Sequence, residues 1–371
     1  MPMNKNIYLT SLYFAFAFET TTAIAHQNDQ AITFPDQIPQ AQGDYVAASK
    51  VETLKPGQKV DNLFDLQFDD KQATIQKLGN NTYWIGVNYY NTTVIVDDSA
   101  GVMLIDPLGS ERVDTVLKAI KQITDKPITA MVYSHYHLDH VGGAKQVSDY
   151  VEQHQTEPLR IYSSAAVYDK ILRHSKKDDN NQIKAKVPLP TNVIKLDRAK
   201  TIKFGQQKIR MIAPKGAGHT PDNTLIWAKN DKVVHFADMI NPDQLPFYNF
   251  AGAEDFHGYE EDLKWLLKKG IKGQWQYVNG GHGNIGSIDD VKSLLGYLDD
   301  LRREVNKQLE IAPYEPKLSD RNHFIWVKRW QDTITAGVKE ALEPKYGKMY
   351  GFDSGAVETH AIMVLFDIVD H

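Results

Sequence analysis

The sequence predicts an α/β protein in which two sheets are each backed by helices. Two patterns lead to that reading. Short runs rich in β-branched and aromatic residues begin at Thr82 and are separated by turn signals; further along, strand-like runs alternate with amphipathic segments of helical length. With 371 residues, 42% of them hydrophobic and 24% charged, the chain can bury a sizeable core and lacks the composition of a disordered or multi-span membrane protein.

Residues 82–87, 91–97 and 101–106 read as an antiparallel meander, with Asp98-Ser99-Ala100-Gly101 as one of its turns. Val113, Val116, Leu117 and Ile120 then share one face of a helix over 111–123, which leads into a buried strand at 128–133. A strand at 159–162 and a helix after Ser164 repeat the unit. Strands at 209–212, 225–228 and 233–237 form a second set; a helix at 259–269, a strand at 276–279 and a long helix at 288–307 complete the body. Beyond it, Trp326, Trp330, Ile334, Val338 and Leu342 recur every four positions on one more helix, which reads as packing on the core or on a second copy of the chain.

Ahead of the meander, residues 26–75 are rich in Gln, Asp and Pro and read as an extended arm lying on the body. The first 25 residues read as an export signal. Lys5 precedes an apolar stretch from Ile7 to Phe18, and Ala23-Ile24-Ala25 supplies small residues for cleavage before His26. A membrane anchor competes with this reading, but the apolar stretch is shorter than the roughly 20 residues a spanning helix needs. The expected organisation is therefore a signal peptide (1–25), an arm (26–75), a catalytic domain (76–310) and a C-terminal helical extension (311–371). The mature chain is expected in the periplasm or outside the cell, without stable membrane association.

A net charge of -5 and the lack of any long basic run argue against nucleic acid as a partner. Cysteine is absent, which removes disulfides, thiolate nucleophiles and sulfur ligands together. Any metal must sit on imidazole and carboxylate.

Directly after the strand ending at Tyr133 comes Ser134-His135-Tyr136-His137-Leu138-Asp139-His140. With 13 His in the chain, an H-x-H-x-D-H run is expected by chance on the order of once in a thousand such chains. Residues i and i+2 at a strand end project to one side, so His135 and His137 can share a metal, while a turn at Leu138 swings Asp139 and His140 toward a second. Three later positions, each at a strand end followed by a turn, suit the remaining ligation: His219 in Gly218-His219-Thr220-Pro221, Asp238 after an apolar strand, and His282 in Gly280-Gly281-His282-Gly283. Zinc suits such donors, and an open position for water marks a catalytic site. His235, facing away from Asp238, reads as a core or supporting side chain. His154, His174, His323, His360 and His371 read as surface residues.

Over residues 76–300 the sequence resembles the metallo-β-lactamase superfamily, through the H-x-H-x-D-H run at 135–140, the G-H-T-P turn at 218–221, and Asp238 and His282. The resemblance implies a four-layer αββα sandwich with a dinuclear site at one edge. It places His135, His137 and His219 on one zinc, Asp139, His140 and His282 on the other, Asp238 between them, and Asp106 as an acid orienting the ligand loop. Iron or manganese are the alternative metals. The chain lacks the thiolate ligand of many of the β-lactamases, so its ligand set is closer to the glyoxalase-like and lactonase-like branches. A loop over 241–252 is unusually aromatic; Phe247, Tyr248 and Phe250, together with His257 and Asn284, are the candidate substrate contacts.

These features imply a hydrolase in which a metal-bridging hydroxide, held by Asp139 as the catalytic carboxylate, attacks a small ester, lactone or related acyl substrate. Hydrolysis of a β-lactam amide or a sulfate ester is the alternative within the superfamily. An iron-containing redox protein is the alternative outside it; a small molecule is the expected partner, and the C-terminal helix leaves room for an oligomer if it packs on a second copy rather than on the core.

Overall fold

The computed structural model describes residues 53–60, 70–267 and 274–370. The signal segment and much of the arm lie outside the described residues. An eight-stranded sheet contains β1 (Thr53–Leu54), β2 (Ala73–Lys77), β3 (Thr82–Val87), β4 (Tyr90–Asp97), β5 (Gly101–Ile105), β6 (Ile128–Val132) and β7 (Arg160–Ser164). After a hairpin of β8 (Lys176–Lys177) and β9 (Ile183–Lys184), β10 (Asn192–Ile194) completes this sheet beside β7. A five-stranded sheet follows in chain order: β11 (Lys200–Phe204), β12 (Gln207–Ile212), β13 (Leu225–Ala228), β14 (Val233–His235) and β15 (Tyr277–Asn279).

The helices are α1 (Val113–Ile123), α2 (Leu138–Val141), α3 (Ala144–His154), α4 (Ala165–Arg173), α5 (Tyr248–Gly252), α6 (Phe256–Trp265), α7 (Ile288–Ile311), α8 (His323–Tyr346) and α9 (Ala356–Asp370). Strands β5 and β6 are apolar at nearly every position because both of their faces are covered. One face packs Met103, Ile105, Ala130 and Val132 against Phe204, Ile209, Met211 and Ile226 of the second sheet. The other packs Val102, Leu104 and Met131 against Val113, Val116 and Ile120 of α1 and Val147 and Val151 of α3. Outside the second sheet, Leu225, Trp227 and Val234 meet Tyr259, Leu298, Val338 and Val364 from α6 to α9. The layers are therefore helix, sheet, sheet, helix, the four-layer sandwich that the resemblance implies, with a C-terminal helical extension.

Several elements differ from the sequence reading. The arm segment at 53–54 and 73–77 supplies two strands of the first sheet; β1 pairs parallel with β2, and β2 antiparallel with β3. Strand β14 stops at His235, two residues earlier than expected, which puts Asp238 in a turn. The chain after 311 carries a second long helix, α9, whose segment Ala356–Asp370 is apolar on nearly all sides and so shows no amphipathic period. Helix α7 starts at a capping box between Ser287 and Asp290.

Candidate metal centre

Strands β3, β5 and β6 of the first sheet and β12, β14 and β15 of the second end at one edge of the sandwich, and their following loops interlock. The Asn91 amide donates to the Gly281 carbonyl at 2.8 Å, Gly283 to Tyr89 at 2.8 Å, Asp238 to Gly280 at 2.8 Å and Thr224 to Ser134 at 3.0 Å. Gly281 is required where it stands: φ is +80°, and a Cβ would lie 2.5 Å from the His140 ring. Asp106 and Asp238, with φ of 58° and 63°, hold left-handed backbone that costs non-glycine residues free energy, and such strain gathers at functional sites.

Asp238 is the hub. Its Oδ2 lies 3.2 Å from His135 Nε2, 3.1 Å from His219 Nε2 and 3.7 Å from His137 Nδ1. Its Oδ1 lies 2.9 Å from His282 Nε2 and 3.3 Å from His140 Nε2. Asp139 Oδ2 completes the second group, 3.3 Å from His282 and 3.6 Å from His140. The donor atoms therefore form two groups able to hold a metal: His135, His137, His219 and Asp238 in one, Asp139, His140 and His282 in the other.

The donor chemistry fits cations better than hydrogen bonds. His219 Nε2 stands 3.3 Å from both His135 Nε2 and His137 Nδ1, a convergence of imidazole nitrogens that protons satisfy poorly. His140 Nδ1, on the far side of its ring, faces the buried Asp106 Oδ2 at 3.6 Å, an ion pair that turns Nε2 toward the cluster. Burial opposes charge on Asp238, but the surrounding His140, His219 and His282 imidazoles outweigh it and hold the carboxyl well below the usual range. Burial also works against charge on His140, where Asp238 and Asp139 prevail and raise it well above 6.5. His135 follows its burial instead and is lowered to about 4, which leaves it neutral and available as a ligand.

Buried polar side chains hold each loop. Asp106 accepts from the Ser134 amide at 2.8 Å and pairs with His235 Nε2 at 2.9 Å. His235 is thus a supporting residue; its Nδ1 sits 3.1 Å from Thr93 Oγ1. Asp222 accepts from the Tyr136 amide at 2.7 Å and pairs with Lys170 at 2.9 Å. Asp262 accepts from the Gly216 and Gly218 amides at 2.8 and 3.2 Å, fixing the turn that carries His219. Neither Asp222 nor Asp262 stood out in the sequence, although Asp222 lies within the same Gly-His-Thr-Pro-Asp-Asn run.

A cavity of about 380 Å³ opens over Asp139, Asp238 and His282, walled by Tyr89, Tyr90, Phe247 and Tyr248, with Asn241 and Gln244 as further lining. Phe247 and Tyr248 therefore stand where the sequence reading put them, and Tyr89 and Tyr90 join them from the β3–β4 turn. Three other candidates do not line it. Phe250 is fully buried, because the turn at 249–251 sends its ring inward to stack on His360. His257 lies on the exposed side of α6, one residue past the core-facing Phe256. Asn284 accepts from the Val60 amide at 2.8 Å and donates to Asp243 at 2.9 Å, so it fastens the arm residue Val60 rather than a substrate. His360, read as a surface residue, is completely buried.

Comparison with known proteins agrees with this geometry. The family model described as the metallo-beta-lactamase superfamily matches residues 85–282. The chain belongs to the metallo-beta-lactamase superfamily. It is 25% identical over 219 residues to the metallo-beta-lactamase type 2 of Elizabethkingia meningoseptica, covering 57% of this chain and 79% of that one. A linear primary-alkylsulfatase from a Pseudomonas strain is 35% identical over 82 residues, 21% of this chain but only 15% of that protein. The solved metallo-beta-lactamase from Pontibacter korlensis superposes with a TM-score of 0.48 at 19% identity, over 61% of this chain and 99% of that one. As a superfamily hydrolase, the chain carries a metal-binding cluster of His and Asp, and the superfamily match ends before its C-terminal helices.

Proposed function

We propose that the chain is an exported dinuclear zinc hydrolase acting on a small ester, lactone or related acyl compound. The observation that carries this reading is the two-part donor set joined by Asp238, opening into an aromatic cavity lined by no Lys or Arg among the described residues. A cavity of that kind suits an uncharged, partly apolar substrate better than one recognised through a carboxylate. His135, His137 and His219 would hold one cation, Asp139, His140 and His282 the other, and Asp238 would touch both. When bound, such a pair supplies Lewis acidity and a water that ionises near neutral pH.

The chain's own groups supply the rest. Asp139, with its side chain 38% exposed, is the acid of the cluster most open to the cavity; burial opposes its charge, but His140 and His282 prevail and keep it a carboxylate, suited to accept a hydrogen bond from the attacking water and orient it. The Tyr89 hydroxyl, whose pKa burial and then neighbouring Tyr90 raise above the usual 10.0, stays protonated and would offer the cavity wall a neutral polar group. Phe247 and Tyr248, both exposed at the cavity wall, would bind the non-reacting part of the molecule.

The 35% identity to an alkylsulfatase over 82 residues supports sulfate-ester hydrolysis as a second reading. The experiment that separates them is to purify the chain, count metal per molecule, and offer lactones, aryl esters, β-lactams and sulfate esters with and without chelator. Chelator-sensitive turnover confined to uncharged acyl compounds supports the first reading. Preference for sulfate esters replaces it with the second, and turnover indifferent to chelator defeats both.

A further inference from the structure

The superfamily match ends at residue 282, yet one wall of the cavity is held by chain well beyond it. Phe247 and Tyr248 stand at the start of the α5 turn, whose residues Asn249, Phe250 and Ala251 have φ of 51°, 51° and 57°. Left-handed backbone costs a side-chain-bearing residue roughly 1–2 kcal/mol, so three in succession persist only when their surroundings impose them. The imposing contacts come from residues 350–360. The Leu245 amide donates to Tyr350 O at 3.0 Å, the Tyr248 hydroxyl to Ser354 O at 2.8 Å, and the Asn249 amide to Thr359 Oγ1 at 3.2 Å.

His360 of α9 lies at the centre of this attachment. Its Nε2 is 3.0 Å from the Phe247 carbonyl, which can only accept, so Nε2 carries the proton. Nδ1 then accepts from the Tyr297 hydroxyl of α7 at 2.8 Å. The ring stacks on Phe250 with centroids 4.2 Å apart and planes at 25°. One buried imidazole of α9 thus ties the carbonyl before the turn, the ring at its middle and helix α7 together.

We propose that His360 is a positioning residue for substrate selection, acting through Phe247 and Phe250 to fix the left-handed turn that presents Phe247 and Tyr248 to the cavity. The C-terminal helices, rather than the metal-bearing loops, then set the shape of that wall. Only the kinetic part of the test rests on the hydrolase reading.

The test compares His360→Phe, which keeps a stacking ring but loses both hydrogen bonds, with Thr359→Val, which removes the acceptor of the Asn249 amide together with the hydroxyl's own bond to Ala356 O within α9. In His360→Phe, hydrogen exchange at the Ala251 and Ala253 amides should quicken about tenfold or more, with protection of α7 and α8 and metal content unchanged. Thr359→Val should do the same at Asn249 and spares the core, so a misfolded His360→Phe would leave the proposal exposed to a decisive result. For hydrolysed esters, KM for bulky acyl groups should rise about tenfold, with kcat and the KM for an acetyl ester nearly constant. Unchanged exchange at 249–253 in the folded variants overturns the proposal, as does exchange that rises equally throughout α7 to α9. Absence of ester turnover by the wild type would defeat the hydrolase reading while the exchange result still decides the role of His360.

Discussion

The Asp222 carboxylate accepts a 2.7 Å hydrogen bond from the Tyr136 amide, the peptide unit between His135 and His137. Burial raises the cost of its charge, but Lys170 and His135 prevail and lower the carboxyl below 3.8. The pair fixes the direction of both imidazoles without touching a metal. Asp222→Ala should therefore weaken metal binding about 10- to 100-fold, the range for groups that orient ligands, while Asp222→Asn, which keeps an acceptor, should lose less. Metal titration of the two variants checks this, and equal affinity in Asp222→Ala and wild type would contradict it.

Asp238 and His235 lie three residues apart and have different duties. Asp238→Ala should lose metal and turnover, because it removes the carboxylate shared by both donor groups. His235→Ala should keep most of its metal and lose stability by about 1–3 kcal/mol, the cost of removing one buried hydrogen-bond partner each from Asp106 and Thr93. Metal analysis and urea unfolding of the two proteins side by side would expose an error if both lost metal equally.

His360 and Asp262 carry opposite pH signatures. Burial lowers His360 to about 4 from an ordinary 6.5. Between those values the unfolded chain binds the proton and the folded chain does not, so this contribution to stability grows as pH rises through that window and is lost on acidification. Burial lifts Asp262 to about 6 from 3.8, and its two amide hydrogen bonds offset this only in part. Here the folded chain holds the proton more tightly, so stability falls as pH rises through that window. Relative to wild type, His360→Phe should gain stability toward about pH 4.5, and Asp262→Asn should gain it toward about pH 7. Urea unfolding at several pH values and fixed metal concentration measures both. Curves parallel to wild type would show that neither group titrates as its burial requires.

The export reading predicts that protein recovered from the source cell begins at His26 and lies outside the cytoplasm. N-terminal sequencing of the mature protein checks it. An intact Met1 on protein from the cytoplasmic fraction would overturn it. Among the described residues no helix is long and apolar enough to cross a membrane.

The cluster was legible because four of its seven members lie in one six-residue run after a strand end, and the others follow strand ends marked by Gly or by a lone acid. The supports were hidden for a physical reason. Asp222 reaches Tyr136, and Asp262 reaches Gly216 and Gly218, only after two sheets and a helix have packed, and nothing local marks either acid. Tyr89 and Tyr90 occupy a short turn that the strand pattern passes over, yet that turn pairs with the loop of His282. Phe247, Tyr248 and Phe250 look alike in sequence; a left-handed turn, which no residue pattern there announces, buries the third. His360 was misread because its neighbours Glu358 and Thr359 are polar, while α9 is apolar on almost every side and hides its period.

Anomalous diffraction at the zinc edge, from crystals of the metal-loaded chain, tests the central claim most directly. The account predicts two peaks. One should lie about 2.0–2.2 Å from nitrogens of His135, His137 and His219, and the other at similar distance from donors of Asp139, His140 and His282, with Asp238 reaching both. A single peak, or none, in a folded chain that still turns over its substrate would contradict it.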